Sequence, residues 1–454
     1  MPYYERFMAS PEFWQLQQRK MDKEDEGPDT HWVIQNLPFS DLSGEWLHTD
    51  SLLYQTREAF DLQRLAEIRA LSFLAVRSEL SMIGIFPDGN IGHNRDDHST
   101  GVAMVTERVL TRNKRSPHEI ALGTIAGMTH DMATPAGGDA LKFMDPANLH
   151  EEDHWQEMLQ EKSRSFLTEH EVTTEELDAV IHNEGMNGEV LDRVDRIVYT
   201  MKDVHALVRE HVSILTHERY DDIRRAYHSD PSMGNIYRDI MIDPESDEVY
   251  FNDPGRLRNF LTTRALMHKT FYYNPETAGR DRLFSHFVKP FYAPDGSRPL
   301  TPQLLRTWGD VRLMNFLADQ YAPAIDGLNF YEQFAAWYPE YERFDTQEEA
   351  DKVKAEINQN PNRIVMDTVT IKGFNPAIDY LVKDDSGNIV PYYEADEEGA
   401  EQLKFIVNKT KGVYLYTANI SNDTPFDRLI AGMFRNDSSI DASTALQHEQ
   451  QEAH

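Results

Sequence analysis

Three segments of the sequence carry residue types that bind divalent metals: His98, the adjacent pair His130 and Asp131, and Asp195. Each segment has the apolar periodicity of a helix. Neighbours on a helix point about 100° apart, so the adjacent pair needs ligands from other helices to enclose an ion. Imidazole and carboxylate ligands suit a divalent metal that activates water for attack on a phosphorus ester. Taken singly, each of these residues is also compatible with an ordinary place in a core or on a surface.

The helices that must position these residues make up most of the predicted structure. Apolar residues recur with helical spacing over residues 52–79, 98–109, 120–130 and 190–212. The third of these segments is predicted to be buried. Its small residues would allow a neighbouring helix to pack closely, and they are Ala121, Gly123, Ala126 and Gly127.

Strand patterns occur only toward the C-terminus. Further helical patterns cover residues 151–167, 174–182, 256–273 and 301–322. Residues 363–371 and 412–416 are predicted to form strands, and residues 379–390 a β-hairpin. We therefore predict a mainly α fold, in which a helical body is followed by a smaller C-terminal α+β subdomain.

The composition indicates a globular protein with an acidic surface. The chain has 454 residues, 40% of them hydrophobic, and no cysteine, which excludes disulfides and thiolate metal ligands. A formal net charge of −32 argues against nucleic-acid binding, which needs a basic surface. The sequence has neither a secretory signal nor an apolar run of the ~18 residues that cross a membrane. We therefore expect a cytoplasmic protein that does not bind membranes.

Longer motifs surround the candidate metal ligands. These are LQRLAEI at residues 62–68, HNRDDHSTGVA at 93–103, His130-Asp131, His150-Glu151, DRIVYTMKD at 195–203 and TRALMHKTFY at 263–272. In this order they resemble the motifs of the HD-domain phosphohydrolases. The resemblance is closest to the deoxynucleoside triphosphate triphosphohydrolases, which carry HNRxxHSxGVA, D-[KR]-x-x-Y-x-x-[KR]-D and TRxxLHxxxY.

The resemblance implies a division of the chain and an assembly. It predicts an N-terminal extension (1–50), an HD phosphohydrolase catalytic domain (51–330), a C-terminal α+β subdomain (331–435) and a polar tail (436–454). Relatives of this family are commonly oligomers, so we expect a homo-oligomer. The expected partner is a nucleotide substrate.

The resemblance also implies the metal ligands. His98, His130, Asp131 and Asp195 would bind one divalent metal, and Asp195 would serve in catalysis as well. The sequence does not distinguish among Mn, Mg, Fe, Co, Ni and Zn, because this ligand set accommodates each of them.

The implied substrate-binding residues are Arg95, Arg196, Tyr199, Lys202, Asp203, Arg264, His268 and Tyr272. Arg95 would contact a phosphate or support the metal site. Tyr199 would pack on a deoxyribose and Asp203 would accept the 3′-hydroxyl, while Tyr272 would face the sugar or base. The cationic side chains suit a triphosphate, because arginine offers planar, bidentate hydrogen bonding to phosphate oxygens.

The sequence departs from the family just after the HD pair, where relatives have GHGPFSH and this chain has MATPAGGD. Thr134 and Asp139 stand at the positions of two histidines linked to catalysis, which puts proton transfer in doubt. His150, with Glu151 as its partner, is the candidate general acid. His154 and Asp139 are candidate replacements.

Three further residues correspond to nucleotide-binding parts of relatives. One of them differs from its counterpart, and the other two resemble theirs. Ala70 replaces a glutamine that reads the sugar, so selection for deoxyribose is expected to be relaxed. Gln63 and Arg64 resemble a segment that binds an allosteric nucleotide in relatives. We prefer a role for these two residues in core packing and surface charge.

Three functions are compatible with the sequence. The first is metal-dependent hydrolysis of deoxynucleoside triphosphates to deoxynucleoside and tripolyphosphate. The second is another HD phosphohydrolase activity, that of a nucleotidase or a phosphodiesterase. The third is a catalytically weakened nucleotide-binding sensor, in which the missing histidines have ended turnover.

Overall fold

The computed structural model describes residues 30–33, 46–48, 51–68, 94–211, 222–223, 225–227, 233–272, 275–325, 330, 333–334, 337, 339–360, 362–371, 380–419 and 424–435. The predicted N-terminal extension is thus described only in two short antiparallel strands, β1 (Thr30–Val33) and β2 (Trp46–His48). The predicted polar tail lies outside the described residues.

Helices form most of the described chain. The α-helices are α1 (Leu52–Ala59), α2 (Arg95–Arg112), α3 (Pro117–Thr129), α4 (Asp139–Lys142), α5 (Pro146–Leu149), α6 (Glu151–His154), α7 (Glu161–Glu169), α8 (Thr174–Ile181), α9 (Gly185–His211), α10 (Pro254–Met267), α11 (Pro275–Val288), α12 (Pro302–Thr307), α13 (Asp310–Tyr321), α14 (Gln347–Ile357), α15 (Tyr392–Ala395), α16 (Glu397–Asn408) and α17 (Pro425–Arg435). In these parts of the chain, no helix combines the length and the hydropathy needed to cross a bilayer.

Two further sheets accompany the helices. The first has the order β3 (Ile240–Ile242), β4 (Val249–Phe251), β7 (Leu381–Lys383) and β8 (Ile389–Pro391), and the second has the order β5 (Glu340–Phe344), β9 (Gly412–Asn419) and β6 (Arg363–Ile371). The predicted 363–371 strand and the predicted hairpin are present. The prediction of a mainly α fold with a smaller α+β part is confirmed.

Two hydrophobic cores hold these elements together, and both draw on distant parts of the sequence. The first joins α1, α2, α3, α9 and α10 to α16. The second joins α4, α11 and α13 to β6, β9 and α17. Strand β7 also pairs in parallel with β4. Both cores therefore combine residues from before and after residue 331, and the predicted domain limits stay a prediction.

Some predicted helices are interrupted. The segment predicted as one helix from residue 52 leaves the α-helical path at Asp61, whose φ of 53° is left-handed, and it continues as a 3-10 turn over Leu62–Glu67. The predicted 151–167 helix divides into α6, a 3-10 turn at Trp155–Met158 and α7. Helix α10 ends in a π-helical turn, His268–Tyr272, a geometry frequent at functional sites.

The close packing of α2 and α3 brings two candidate ligand helices together. A Cβ added to Gly127 of α3 would lie only 2.7 Å from the Ala103 Cα of α2. The two backbones therefore meet where the predicted stripe of small residues lies. Helix α9 packs against both helices and completes the scaffold of the site.

Candidate metal centre and substrate pocket

Side chains from α2, α3 and α9 meet within the helical body. His98 lies one turn into α2, His130 directly follows α3, and Asp195 lies within α9. One ligand atom of each lies within 4.8 Å of those of the other two. His98 Nε2 is 2.8 Å and His130 Nε2 is 3.6 Å from Asp195 Oδ1. This spacing suits three ligands around one divalent ion.

Asp131 lies beside this cluster. The sequence suggested that Asp131 lies on a helix, but the helix ends before it. It occupies the turn after α3, which ends at Thr129. Asp131 Oδ2 is 3.6 Å from Nε2 of both His98 and His130. The adjacent His130 and Asp131 side chains therefore approach each other at the end of α3.

The His130 ring is oriented as a metal ligand requires. Its Nδ1 lies 2.9 Å from the Gly127 carbonyl, which can only accept, so Nδ1 donates and Nε2 is the nitrogen left to bind a metal. His130 Nε2 is buried and has no hydrogen-bond partner among the described residues. A buried nitrogen left without a partner is costly in a purely structural role. The donor set therefore fits a divalent cation.

The charges around the cluster also favour a cation. Burial disfavours a charged His130 ring, but the carboxylates of Asp131 and Asp195 outweigh burial and raise the pKa of His130 to about 9. Burial opposes the charged form of Asp195 as well, yet the neighbouring His130 and His98 rings outweigh burial and lower its pKa. Without a metal, the proton on His130 thus supplies positive charge where a bound metal ion would supply it.

A chain of alternating charges leads away from the metal centre. Arg95 Nη1 donates to Asp131 Oδ2 over 2.8 Å, and Arg95 Nη2 donates to Asp139 Oδ2 over 3.0 Å. Asp139 Oδ1 lies 2.7 Å from Lys142 Nζ, and Lys142 also pairs with Glu151. We call these five residues the charge chain. Of the two roles expected for Arg95, the contact with Asp131 favours the support of the candidate metal site.

The candidate proton donors occupy different surroundings. His150 immediately precedes α6, and its Nδ1 is buried without a hydrogen-bond partner in the described chain. Glu151 pairs with Lys142, not with His150 as the sequence suggested. His154 uses both ring nitrogens locally, on Glu157 and on the Ala147 carbonyl. His150 therefore remains the candidate general acid.

Most of the predicted substrate residues gather between α9 and the end of α10. Arg264 Nε donates to Tyr199 Oη over 2.9 Å, and Tyr272 Oη donates to Asp203 Oδ2 over 2.5 Å. The Tyr272 ring meets the rings of Tyr199 and His268 edge to face, with centroids 5.6 and 4.9 Å apart. We call these five residues the aromatic–arginine pocket. Burial, followed by the charge of Arg264, lowers the pKa of His268 well below its usual value.

The two remaining predicted cations lie apart from each other. Arg196 is half-buried and pairs with Asp192 one turn earlier, over 2.6 Å. Lys202 is buried, and its ammonium donates to the backbone carbonyl of Asp97 in α2. Burial lowers the pKa of Lys202 to about 8. Lys202 thus links α9 to α2, whereas Arg196 lies beside the metal ligand Asp195.

The segment that resembles an allosteric site has a structural role here. Arg64 donates to the carbonyls of Met132, Thr134 and Trp308, which fixes the turn after Asp131. Gln63 donates to Glu58. The preferred packing role of these residues agrees with these contacts. Ala70 lies outside the described residues.

Sequence reasoning missed several residues that shape the site. Arg57 of α1 donates from Nη2 to the fully buried Asp96 over 2.9 Å, two residues before His98. Lys142 in the charge chain was also missed, although its position three residues after Asp139 was a usable signal. Tyr380 packs against Arg193 of α9 but lies far along the chain, and no local pattern singles it out.

Comparisons with known proteins support the fold. No protein-family model and no curated protein sequence matches the chain. A hypothetical protein from Aquifex aeolicus has a similar structure, with a TM-score of 0.57 and 15% identity over 86% of this chain and 98% of that one. A phosphohydrolase from Bacteroides thetaiotaomicron is also similar, with a TM-score of 0.55 and 14% identity over 81% of this chain and 95% of that one. At these identities the likeness shows a shared fold.

Proposed function

We propose that this protein is a metal-dependent phosphohydrolase, and specifically that it hydrolyses deoxynucleoside triphosphates to deoxynucleoside and tripolyphosphate. The observation that carries the proposal is the position of two sites on one helix. Asp195 of the metal centre and Tyr199 of the aromatic–arginine pocket lie one turn apart on α9. The phosphohydrolase among the structural neighbours supports the broader part of the proposal.

His98, His130, Asp131 and Asp195 would hold the divalent metal, which when bound supplies an activated water for attack on phosphorus. Arg95 would hold Asp131 in place through its 2.8 Å hydrogen bond. The bond that breaks joins the α-phosphorus to the 5′-oxygen. Water supplies the hydroxyl to phosphorus, and the leaving oxygen takes a proton, for which His150 is the candidate donor.

The pocket residues would bind and orient the nucleotide. Arg196 and Arg264 would neutralise the charge of the triphosphate, which grows at the α-phosphate as the water oxygen adds to phosphorus. Tyr199 and Tyr272 offer ring faces and edges to the sugar and base. Asp203, which accepts from Tyr272 in the described structure, would accept a hydrogen bond from a sugar hydroxyl.

Product analysis tests this proposal. The purified protein is incubated with each of the four dNTPs and NTPs in Mn²⁺ and in Mg²⁺, and the products are separated by chromatography. We expect nucleoside and tripolyphosphate from wild type, and neither product nor Mn²⁺ binding from Asp195→Ala. Asp222→Asn, on the surface, is the control. Full activity of Asp195→Ala would contradict the site, and products from monophosphates or diesters alone would indicate a nucleotidase or a phosphodiesterase.

One observation favours a second function, that of a nucleotide-binding sensor. Asp139 is a candidate replacement for a histidine of the family that the sequence resembles, and its carboxylate is occupied by Arg95 and Lys142. A carboxylate held by two cations is a poor proton donor. Nucleotide and Mn²⁺ binding without any product, measured on the same samples, would favour the sensor.

A further inference from the structure

Tyr380 brings a distant part of the chain to the pocket. It immediately precedes β7, and its carbonyl accepts from the Tyr392 amide over 2.8 Å. Its ring lies under the Arg193 guanidinium of α9, 4.7 Å from the ring centroid, and 5.7 Å from the Phe251 ring of β4. The phenol is thus held on two sides by a cation and an aromatic ring.

The hydroxyl of Tyr380 differs from those of other buried tyrosines. The residue is only 1% exposed, and its Oη has no hydrogen-bond partner among the described residues. By contrast, Tyr392 donates to Asp396 over 2.7 Å, and Tyr416 and Tyr321 each donate to a carbonyl over 2.8 Å. Leaving a buried donor unpaired costs free energy, so this hydroxyl indicates a partner other than the described residues.

The surroundings of the hydroxyl identify the kind of partner. Asp192 pairs with Arg193 over 2.7 Å and with Arg196 over 2.6 Å, so the guanidinium that covers the Tyr380 ring and the guanidinium of Arg196 share one carboxylate. Burial lowers the pKa of Arg264, but the Tyr199 and Tyr380 phenols outweigh burial and raise that pKa. The Tyr380 ring therefore lies among guanidiniums of α9 and α10. An O–H donor beside two cations suits an anionic acceptor with several oxygens.

We propose that Tyr380 is a substrate-binding residue whose hydroxyl donates a hydrogen bond to a phosphate oxygen held by Arg196 and Arg264. The proposal rests on the proposed function for the nucleotide, although the contact itself requires only a polyphosphate. The β7–β8 hairpin, which the sequence assigns to a separate C-terminal subdomain, would then complete the substrate site. The affinity of the protein for the phosphate tail would then depend on the β7–β8 hairpin.

Tyr380→Phe tests the inference, because it removes the hydroxyl and keeps the ring. We expect the KM for the nucleotide and the Kd for tripolyphosphate in Mn²⁺ to rise about tenfold, as for a lost hydrogen bond to a charged group, with little change in kcat. The Tm without ligand should stay unchanged or rise. Tyr392→Phe, which loses a bond to Asp396, should lower the Tm and leave KM and Kd unchanged.

The two ligands separate the outcomes. Weaker tripolyphosphate binding by Tyr380→Phe supports the contact even if wild type hydrolyses no nucleotide, in which case the proposed function alone fails. Turnover by wild type with equal KM and Kd in Tyr380→Phe overturns the contact and leaves the function standing. A fall in Tm without ligand, with unchanged binding, would also overturn it, since the hydroxyl would then have a structural partner.

Discussion

Arg95 Nη1 lies 2.8 Å from Asp131 Oδ2, so the carboxylate of the HD pair is held by a buried guanidinium that does not itself belong to the metal centre. The same guanidinium reaches Asp139 Oδ2 over 3.0 Å, so one side chain holds two carboxylates. Several consequences can be measured.

Arg95→Lys should weaken metal binding. Lysine keeps the charge but lacks the planar fork that reaches Asp131 and Asp139 at once. Loss of a residue that orients a metal ligand typically costs about 10- to 100-fold in affinity, and we expect a loss of that size for Mn²⁺ measured by calorimetry. Arg343→Lys, at an exposed arginine, is the control. Equal Mn²⁺ affinity in both variants would show that Arg95 does not position Asp131.

Gly127→Ala should separate the helices that carry His98 and His130. The added methyl would meet the Ala103 backbone at 2.7 Å, which cannot move as a side chain can. We expect a loss of about 1–3 kcal/mol in the free energy of unfolding, together with weaker Mn²⁺ binding. Gly432→Ala adds the same methyl where nothing lies within 4 Å and should be neutral or slightly stabilising. Similar stability of the two variants would contradict the tight helix contact.

Lys142→Met should destabilise the protein through the charge chain. The substitution keeps the length of the side chain but leaves Asp139 and Glu151 without their shared cation. Breaking a buried ion pair on one side costs about 3–5 kcal/mol, measurable by urea unfolding. Lys404→Met removes an exposed pair with Glu401 and should cost about 1 kcal/mol or less. If Lys142→Met also lost only about 1 kcal/mol in the free energy of unfolding, water would have to reach the charge chain.

Asp281→Asn should change how stability depends on pH. Burial, and then the carboxylate of Asp139, raises the pKa of Asp281 from 3.8 to about 8. Between these values the folded protein holds a proton that the unfolded chain has released, so wild-type stability should fall as pH rises through this window. The neutral asparagine removes that dependence. Unfolding of both proteins from pH 4 to pH 8.5 measures it.

Asp295→Asn is the control for the pH experiment because its shift has the opposite sign. The Ser297 side chain and amide lower the pKa of the exposed Asp295 carboxyl. Its contribution to stability is therefore present above the unfolded pKa and is lost as pH falls. Parallel stability curves for wild type and Asp281→Asn would mean that Asp281 ionises normally within the fold.

The sequence by itself determined the local structure and the candidate ligands. Helical periodicity placed α2, α3 and α9, and alternation placed β6 and the β7–β8 hairpin, because both patterns depend on which face of an element is buried. The order and spacing of His98, His130 and Asp195 predicted a three-helix cluster, and such a cluster is present. The stripe of small residues predicted the close helix contact now seen at Gly127.

Only the tertiary structure decided how these elements share cores and partners. The division at residue 331 does not appear in the cores, since β7 pairs with β4 and α16 packs against the helical body. The charge chain and the position of Tyr380 join residues far apart in sequence. Contacts of this kind depend on the burial of charges and rings among several elements at once, and no local spacing carries that information. The sequence therefore names the candidate metal ligands, and the fold decides which groups orient them.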